Sequence, residues 1–205
     1  MKSTSELRVT RRGFLAASMI LYDVLLSRTA GGLYAFAATV GMEPTPACVD
    51  TDDITPPQTA GPFFKPRSPE RKSLLEPGIQ GIKISLEGNV RSSKCKPVPG
   101  ALVDIWQADG SGTYDNAGYK LRGHQFADAA GKYHFETIVP GVYPGRTRHF
   151  HVRVQAPNRP VLTTQLYFPG EPENKRDFIF NNKLVVALSD SGARNARFDF
   201  VLDLG

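Results

Sequence analysis

The chain has 205 residues, of which 22% are charged and 40% hydrophobic, and its formal net charge is +5 at pH 7. Residues 1–37 contain five of the basic and two of the acidic residues, so this segment carries +3 and the remainder carries +2. The remainder has no basic stripe with interleaved aromatic residues, which excludes the usual pattern of a nucleic-acid partner. Its length, about 165 residues, suits one domain with a real core and is short for two.

Residues 1–37 are interpreted as a signal segment. The sequence TRRGFL at residues 10–15 resembles a twin-arginine export signal, and an apolar stretch with small residues near Ala35 and Ala37 follows it. Asp23 and Arg28 interrupt the apolar stretch, so no stable membrane span is expected. The segment predicts an exported protein, periplasmic or extracellular; a chance pair of arginines is the alternative.

The two cysteines, Cys48 and Cys95, form an even pair. In an oxidising compartment they could form a disulfide, which on the chain-entropy model would stabilise the fold by about 4 kcal/mol. Two unrelated thiols are the alternative interpretation.

Residues 38–80 are rich in proline and turn-forming residues, which predicts an extended arm without regular structure. From residue 81 to 205, short runs alternate between apolar and polar residues, and Gly, Pro and Asp separate the runs. This pattern predicts an all-β domain, an antiparallel β-sandwich of the prealbumin-like kind. The runs are 82–90, 101–107, 132–138, 149–155, 162–168, 184–188 and 197–202.

One of these runs begins with the sequence His149-Phe150-His151. In a strand, alternate side chains share a face, so both imidazoles can reach one metal ion while Phe150 and Val152 pack on the other face. Tyr143, six residues earlier, would add a hard anionic oxygen, and this ligand set suits ferric iron better than zinc. A zinc site completed by carboxylates is the weaker alternative, because no third ligand lies in strand register.

Several segments, taken together and in this order, resemble the intradiol ring-cleavage dioxygenase family, which includes protocatechuate and catechol dioxygenases. They are QTAGPF at 58–63, VDIWQA at 103–108, LRG at 121–123, IVPGVYP at 138–144, HFH at 149–151 and TTQLYFPG at 163–170.

The resemblance implies a mononuclear non-haem iron(III) whose metal ligands are Tyr114, Tyr143, His149 and His151, with Tyr119 as the alternative to Tyr114. It implies cleavage of a catechol-type aromatic diol by O2 between the two hydroxylated carbons, giving a muconate-type diacid. Tyr143 is implied as the ligand that the substrate displaces.

The resemblance also implies an arginine that assists catalysis and a glutamine beside the site. Arg146 is the first candidate for the arginine, and Arg148 is its rival as a substrate-binding residue. Gln165 corresponds to the glutamine. The connection from Tyr143 to His149 is short for the family, and Gly145 stands where the family usually has tryptophan.

Other features have simpler interpretations. Trp106 is expected to pack in or against the sandwich, and His134 is expected to be an exposed strand residue. His124 is expected to have no role in the site, with lining of the pocket as the alternative. The competing hypothesis for the whole chain is a non-catalytic prealbumin-like binding module, because strand and turn patterns alone do not specify chemistry. A homo-oligomer is compatible with the sequence.

Overall fold

The structure is a computed structural model that describes residues 54–189 and 194–204. The predicted signal segment and Cys48 lie outside these residues, so the export signal and the Cys48–Cys95 disulfide stay predictions. Peptide mapping under non-reducing conditions tests the disulfide. Among the described residues, no helix is long and apolar enough to cross a membrane.

The described residues form a β-sandwich, as the alternating pattern predicts. Its strands are β1 (Lys83–Ser92), β2 (Leu102–Trp106), β3 (Arg122–Phe126), β4 (Lys132–Ile138), β5 (His149–Gln155), β6 (Val161–Tyr167), β7 (Ala187–Ser189), β8 (Asn195–Arg197) and β9 (Phe200–Leu202). Two 3-10 helices, Pro172–Lys175 and Asn182–Leu184, lie between β6 and β7.

The strands form two sheets. One sheet has the order β4-β1-β8-β7, and β9 continues beside β1 where β8 ends. The other has the order β3-β2-β5-β6 and is antiparallel throughout. The prediction of an antiparallel sandwich is therefore confirmed, with the addition that β8 and β9 pair with β1 in parallel.

The hydrophobic core lies between the two sheets. Alternation in β5 sends Phe150, Val152 and Val154 into this core, where each side chain is fully buried. Val103 and Ile105 do the same from β2. Full burial of each such side chain contributes about 1.5 to 3 kcal/mol. The alternate residues of β2 and β5 therefore lie on the outer face of the four-stranded sheet.

The proline-rich arm covers this outer face. Its described part, residues 54–80, contains no helix or extended strand and only isolated bridges. Thr59 accepts a hydrogen bond through its carbonyl from Gln165 (2.9 Å), and Ser68 donates to the buried carboxylate of Asp104 (2.8 Å). The side chains of Gln165 and Asp104 on the outer face are thereby hydrogen-bonded beneath the arm.

Two boundaries differ from the sequence prediction. The run 197–202 is divided between β8 and β9, because the side chain of Asp199 accepts the backbone N–H of Asn89 (2.9 Å) in place of a ladder carbonyl. Gly88 permits the bulge: a Cβ there would lie 1.8 Å from the carbonyl oxygen of Phe198. In the run 184–188, only the last two residues belong to a strand, β7.

Candidate functional site

The two histidines of β5 point to one place on the outer face of the sheet. Their Nε2 atoms are 3.1 Å apart, and both side chains are buried. His149 Nδ1 lies 2.6 Å from the carbonyl oxygen of Thr147, so Nδ1 carries the proton and Nε2 presents its lone pair. Two ring nitrogens thus converge at the distance and orientation that a shared ion requires.

Both histidines are held in the neutral form. Burial lowers the pKa of His149 from 6.5 to about 4, although its hydrogen bond to Thr147 acts in the opposite direction. Burial, and then the neighbouring His149, lower the pKa of His151 well below its ordinary value. His151 Nδ1 is buried and has no hydrogen-bond partner among the described residues. Neutral imidazoles are the form that binds metals.

Tyr114 lies on the loop that follows β2 and brings a phenol to the same place. Its hydroxyl is 3.3 Å from His149 Nε2, and its ring stacks on that of Phe63 from the arm (4.4 Å between centroids). Burial raises the pKa of Tyr114 well above the ordinary value of 10.0, while the guanidinium groups of Arg146 and Arg122 act in the opposite direction. The phenol is therefore protonated unless a cation replaces its proton.

Tyr143 lies on the loop between β4 and β5. Its ring is 6.0 Å from that of Tyr114 and 5.4 Å from that of Phe63, edge-on to both. The side chain is half-buried, and its hydroxyl has no hydrogen bond with any described residue. The structure thus brings both tyrosines and both histidines into one cluster.

The loops that carry the two tyrosines are packed backbone against backbone. Gly141 donates its N–H to the carbonyl of Asp109 (2.7 Å). A Cβ on Gly112 would lie 2.2 Å from the carbonyl oxygen of Val142, and a Cβ on Gly141 would lie 2.2 Å from the nitrogen of Gly112. The absence of side chains at Gly112 and Gly141 therefore allows the two loops that carry the tyrosines to approach this closely.

The side chains of Tyr114, Tyr143, His149 and His151 are chemically able to hold a metal ion. They offer two neutral nitrogens and two phenol oxygens, a mixed set that suits a hard trivalent ion. Within 54–189 and 194–204, no group of three or more His, Cys, Asp or Glu residues could hold a metal. A site in this part of the chain therefore depends on the tyrosines, which disfavours the zinc alternative.

Arg146 lies beside the cluster and is held at two points. Its Nη2 donates to Gln165 Oε1 (2.6 Å), and its Nε donates to Asp177 Oδ2 (2.9 Å). Gln165 in turn pairs with His151 across β5 and β6. The positive charge of Arg146 acts on Tyr114 and on both histidines.

Two rival candidates lie elsewhere. The guanidinium of Arg148 donates to the carbonyl of Pro140 (2.6 Å) and pairs with Glu171 (3.0 Å), outside the cluster of tyrosines and histidines. The hydroxyl of Tyr119 donates to the carbonyl of Pro66 (3.0 Å), and its ring lies under the ammonium group of Lys65. The geometry favours Arg146 and Tyr114.

Sequence reasoning underestimated Trp106, which forms a wall of the site. Its ring stacks on the imidazole of His151 (4.9 Å between centroids, 3° between planes) and also packs against Phe64. The alternation of β2, which puts Trp106 on the face opposite Ile105, was the available signal. Gly61 closes the cluster from the arm: a Cβ there would lie 3.1 Å from His151 Cε1.

Comparison with known proteins decides the family. The sequence model of the dioxygenase family matches residues 59–204, which covers most of the chain. The chain belongs to the intradiol dioxygenase family. This confirms the resemblance found in the sequence motifs, and it makes the non-catalytic module the less favoured interpretation.

Relatives within the family include a catechol 1,2-dioxygenase of Pseudomonas sp. (strain EST1001), 29% identical over 69% of this chain and 56% of that protein. A hydroxyquinol 1,2-dioxygenase of Nocardioides simplex is 30% identical over 64% of this chain and 53% of that protein. The chain thus spans little more than half the length of these relatives.

Among solved structures, the chain resembles the dioxygenase domain of a dioxygenase carbohydrate-binding protein fusion from Streptomyces sp. SirexAA-E. The TM-score is 0.72 and the identity 52%, over 74% of this chain and 99% of that domain. The present chain therefore matches that dioxygenase domain over nearly its whole length.

Proposed function

We propose that the protein is a non-haem iron(III) intradiol dioxygenase, which uses O2 to cleave a catechol-type aromatic diol between its two hydroxylated carbons and gives a muconate-type diacid. The observation that carries the proposal is the convergence of His151 Nε2 (3.1 Å) and the Tyr114 hydroxyl (3.3 Å) on His149 Nε2 in a member of this family.

In this proposal Tyr114, Tyr143, His149 and His151 hold the iron. When bound, ferric iron would lower the pKa values of the coordinated phenols and accept electron density from the aromatic ring. The fit is supported by the neutral state of both histidines and by the lone pair of His149, which the hydrogen bond to Thr147 directs into the cluster. The hydrogen bond to the Thr147 carbonyl thus orients His149 without a bound metal.

Of the two phenols that would hold the metal, Tyr143 would be the more readily displaced by a bound diol. It is only half-buried and its hydroxyl has no hydrogen bond within the described part of the chain, whereas Tyr114 is buried and stacked on Phe63. A freed Tyr143 oxygen can accept a proton from a substrate hydroxyl, which makes it the proton acceptor of the binding step. Tyr114 would stay in place.

Arg146 and Gln165 are proposed to act on the bound ring. A fixed guanidinium beside the cluster can stabilise negative charge that develops on the substrate. Gln165 fixes the direction of that guanidinium and also binds the arm at Thr59. The arm, through Gly61 and Phe63, closes the site and limits the access of water.

The relatives are named for catechol and hydroxyquinol, and we propose an aromatic diol of this class for the present chain. Export through the twin-arginine signal is also proposed, because TRRGFL precedes an apolar stretch. Replacement of Arg11 and Arg12 by Lys should retain the protein in the cytoplasm; continued export would contradict this part of the proposal.

The test combines colour and product. Protein loaded with ferrous iron without oxygen and then reoxidised should show the visible absorption of an iron–tyrosinate bond and should add two oxygen atoms to a catechol, as measured by mass. Tyr114→Phe should remove much of the absorption, and Tyr119→Phe should not. A protein that stays colourless and iron-free after loading would contradict the proposal.

A further inference from the structure

A buried carboxylate, Asp177, lies behind the cluster on the segment between β6 and β7. Its side chain is 0% exposed. One oxygen, Oδ2, accepts from Arg146 Nε (2.9 Å) and from the backbone N–H of Thr147 (3.0 Å). The other, Oδ1, accepts from the backbone N–H of Ile179 (3.2 Å). Three donors from two segments of the chain thus meet on one carboxylate.

The contact fixes the plane of the Arg146 guanidinium. Asp177 accepts from Nε and Gln165 accepts from Nη2, so two N–H groups of a rigid planar group have separate partners. A single partner would let the guanidinium rotate about its long side chain, which has high rotamer entropy. Two partners leave one orientation, beside His149 and His151.

The same carboxylate fixes the backbone that orients His149. Thr147 donates its N–H to Asp177, and its carbonyl accepts from His149 Nδ1 (2.6 Å). The hydroxyl of Thr147 donates to Asn174 Oδ1 (2.7 Å), and Thr147 is fully buried. One buried residue, Thr147, thus links Asp177 to the histidine through its N–H and its carbonyl.

We propose that Asp177 is a positioning residue for ring cleavage: it holds the Arg146 guanidinium against Gln165 and the backbone of Thr147 against His149. The expected effect on kcat rests on the proposed function, whereas the expected effect on the orientation of Arg146 does not. Asparagine has the same size, but it has no charge and only one acceptor oxygen, so it cannot bind all three donors.

The chain provides a matched control. Glu171 lies on the same segment and pairs with Arg148, which lies on the same connection as Arg146. That pair is partly exposed, with 31% and 25% of the side chains accessible, and it makes no contact with the cluster. Glu171→Gln therefore removes a comparable ion pair without disturbing the direction of Arg146.

The structural test observes the Nε–H group of Arg146 by nitrogen-15 NMR in iron-free protein, with Arg146→Lys used to assign the signal. A bonded, buried Nε–H exchanges slowly with water, so wild type and Glu171→Gln should give a sharp signal. Asp177→Asn should broaden or lose it. A signal that persists unchanged in Asp177→Asn would overturn the proposal.

The kinetic test uses iron-loaded protein and catechol. Asp177→Asn should lower kcat on the order of 10- to 100-fold, with a smaller change in KM, while Glu171→Gln stays within about 2-fold of wild type. In an Arg146→Met background, Asp177→Asn should cost less than in the wild type, because part of its effect acts through Arg146. Equal costs in both backgrounds would overturn that role.

If Asp177→Asn does not fold, Arg146→Lys replaces it: lysine keeps the charge but lacks the planar fork, so a kcat near that of wild type would overturn the proposal. A wild-type protein that opens no catechol ring would overturn the proposed function, while the NMR signal would still decide whether Asp177 holds Arg146.

Discussion

At the scale of single residues, the site depends on groups kept neutral by burial. His149 is the clearest example, because its pKa is about 4 in the fold and about 6.5 in an unfolded chain. Its Nδ1 proton is held by Thr147, so the free lone pair always faces His151. The same burial that keeps these nitrogens free to bind a metal should make the metal-free protein sensitive to acid.

The iron-free protein should lose stability as the pH falls from about 6.5 to about 4. In this window the unfolded chain takes up a proton at His149 that the folded protein does not, so the free energy of unfolding falls, by on the order of 3 kcal/mol at the lower end. Denaturant unfolding at several pH values, compared between wild type and His149→Gln, measures this contribution. An identical loss in the variant would contradict it.

The tyrosines and histidines of the cluster could be predicted because their types and order carry the family motifs. Asp177 and Trp106 could not, because their roles arise from contacts made across the fold. Asp177 lies 31 residues along the chain from Arg146, with no local pattern to link the two. For Trp106, the only signal in the sequence was its position in the alternating pattern of β2.

At the scale of elements, β1, β2, β4, β5 and β6 follow the predicted runs closely, because alternation reports burial on one face. β3 was missed as a strand. Its sequence RGHQF has polar residues on both faces: Arg122 and His124 face the arm, while the side chain of Gln125 pairs with the backbone of His134. Because these polar side chains are hydrogen-bonded through tertiary contacts, β3 shows no alternation of apolar and polar residues in its sequence.

The loops that carry the tyrosines depend on glycine for space. Gly112 and Gly145 both have positive φ angles, +88° and +79°. A Cβ on Gly112 would meet the carbonyl oxygen of Val142, whereas a Cβ on Gly145 would meet nothing within 4 Å. Alanine substitutions at Gly145 and Gly112 therefore separate the free-energy cost of a left-handed backbone from the added cost of a steric clash.

Gly145→Ala should therefore lose about 1 to 2 kcal/mol of stability, the cost of the left-handed backbone alone. Gly112→Ala should lose about 2 to 5 kcal/mol, because overpacking adds to the same cost, and it should move Tyr114 away from Tyr143. Denaturant unfolding and iron–tyrosinate absorption measure the two effects. Equal losses of stability would show that the loops are not closely packed.

At the scale of the whole molecule, one buried arginine of the LRG motif joins three parts of the fold. Arg122 is 1% exposed and donates to the carbonyls of Phe63 on the arm (2.6 Å) and of Asp115 on the tyrosine loop (3.0 and 3.1 Å). It forms no ion pair within the described residues. The sequence predicted an irregular arm, but long-range contacts such as these make it the cover of the site.

Arg122→Met should release the arm while it keeps much of the buried side-chain volume. The carbonyls of Phe63 and Asp115 would lose charged donors, at about 1 to 3 kcal/mol each, partly offset because a buried charge is also removed. The backbone N–H of Gln58, bonded to Thr163 (2.8 Å), reports arm docking and should exchange at least about tenfold faster with water. Arg67→Met, an exposed arginine of the same arm, is the control. If both variants exchange at the wild-type rate, the arm is held by its other contacts, and Arg122 does not join it to the tyrosine loop.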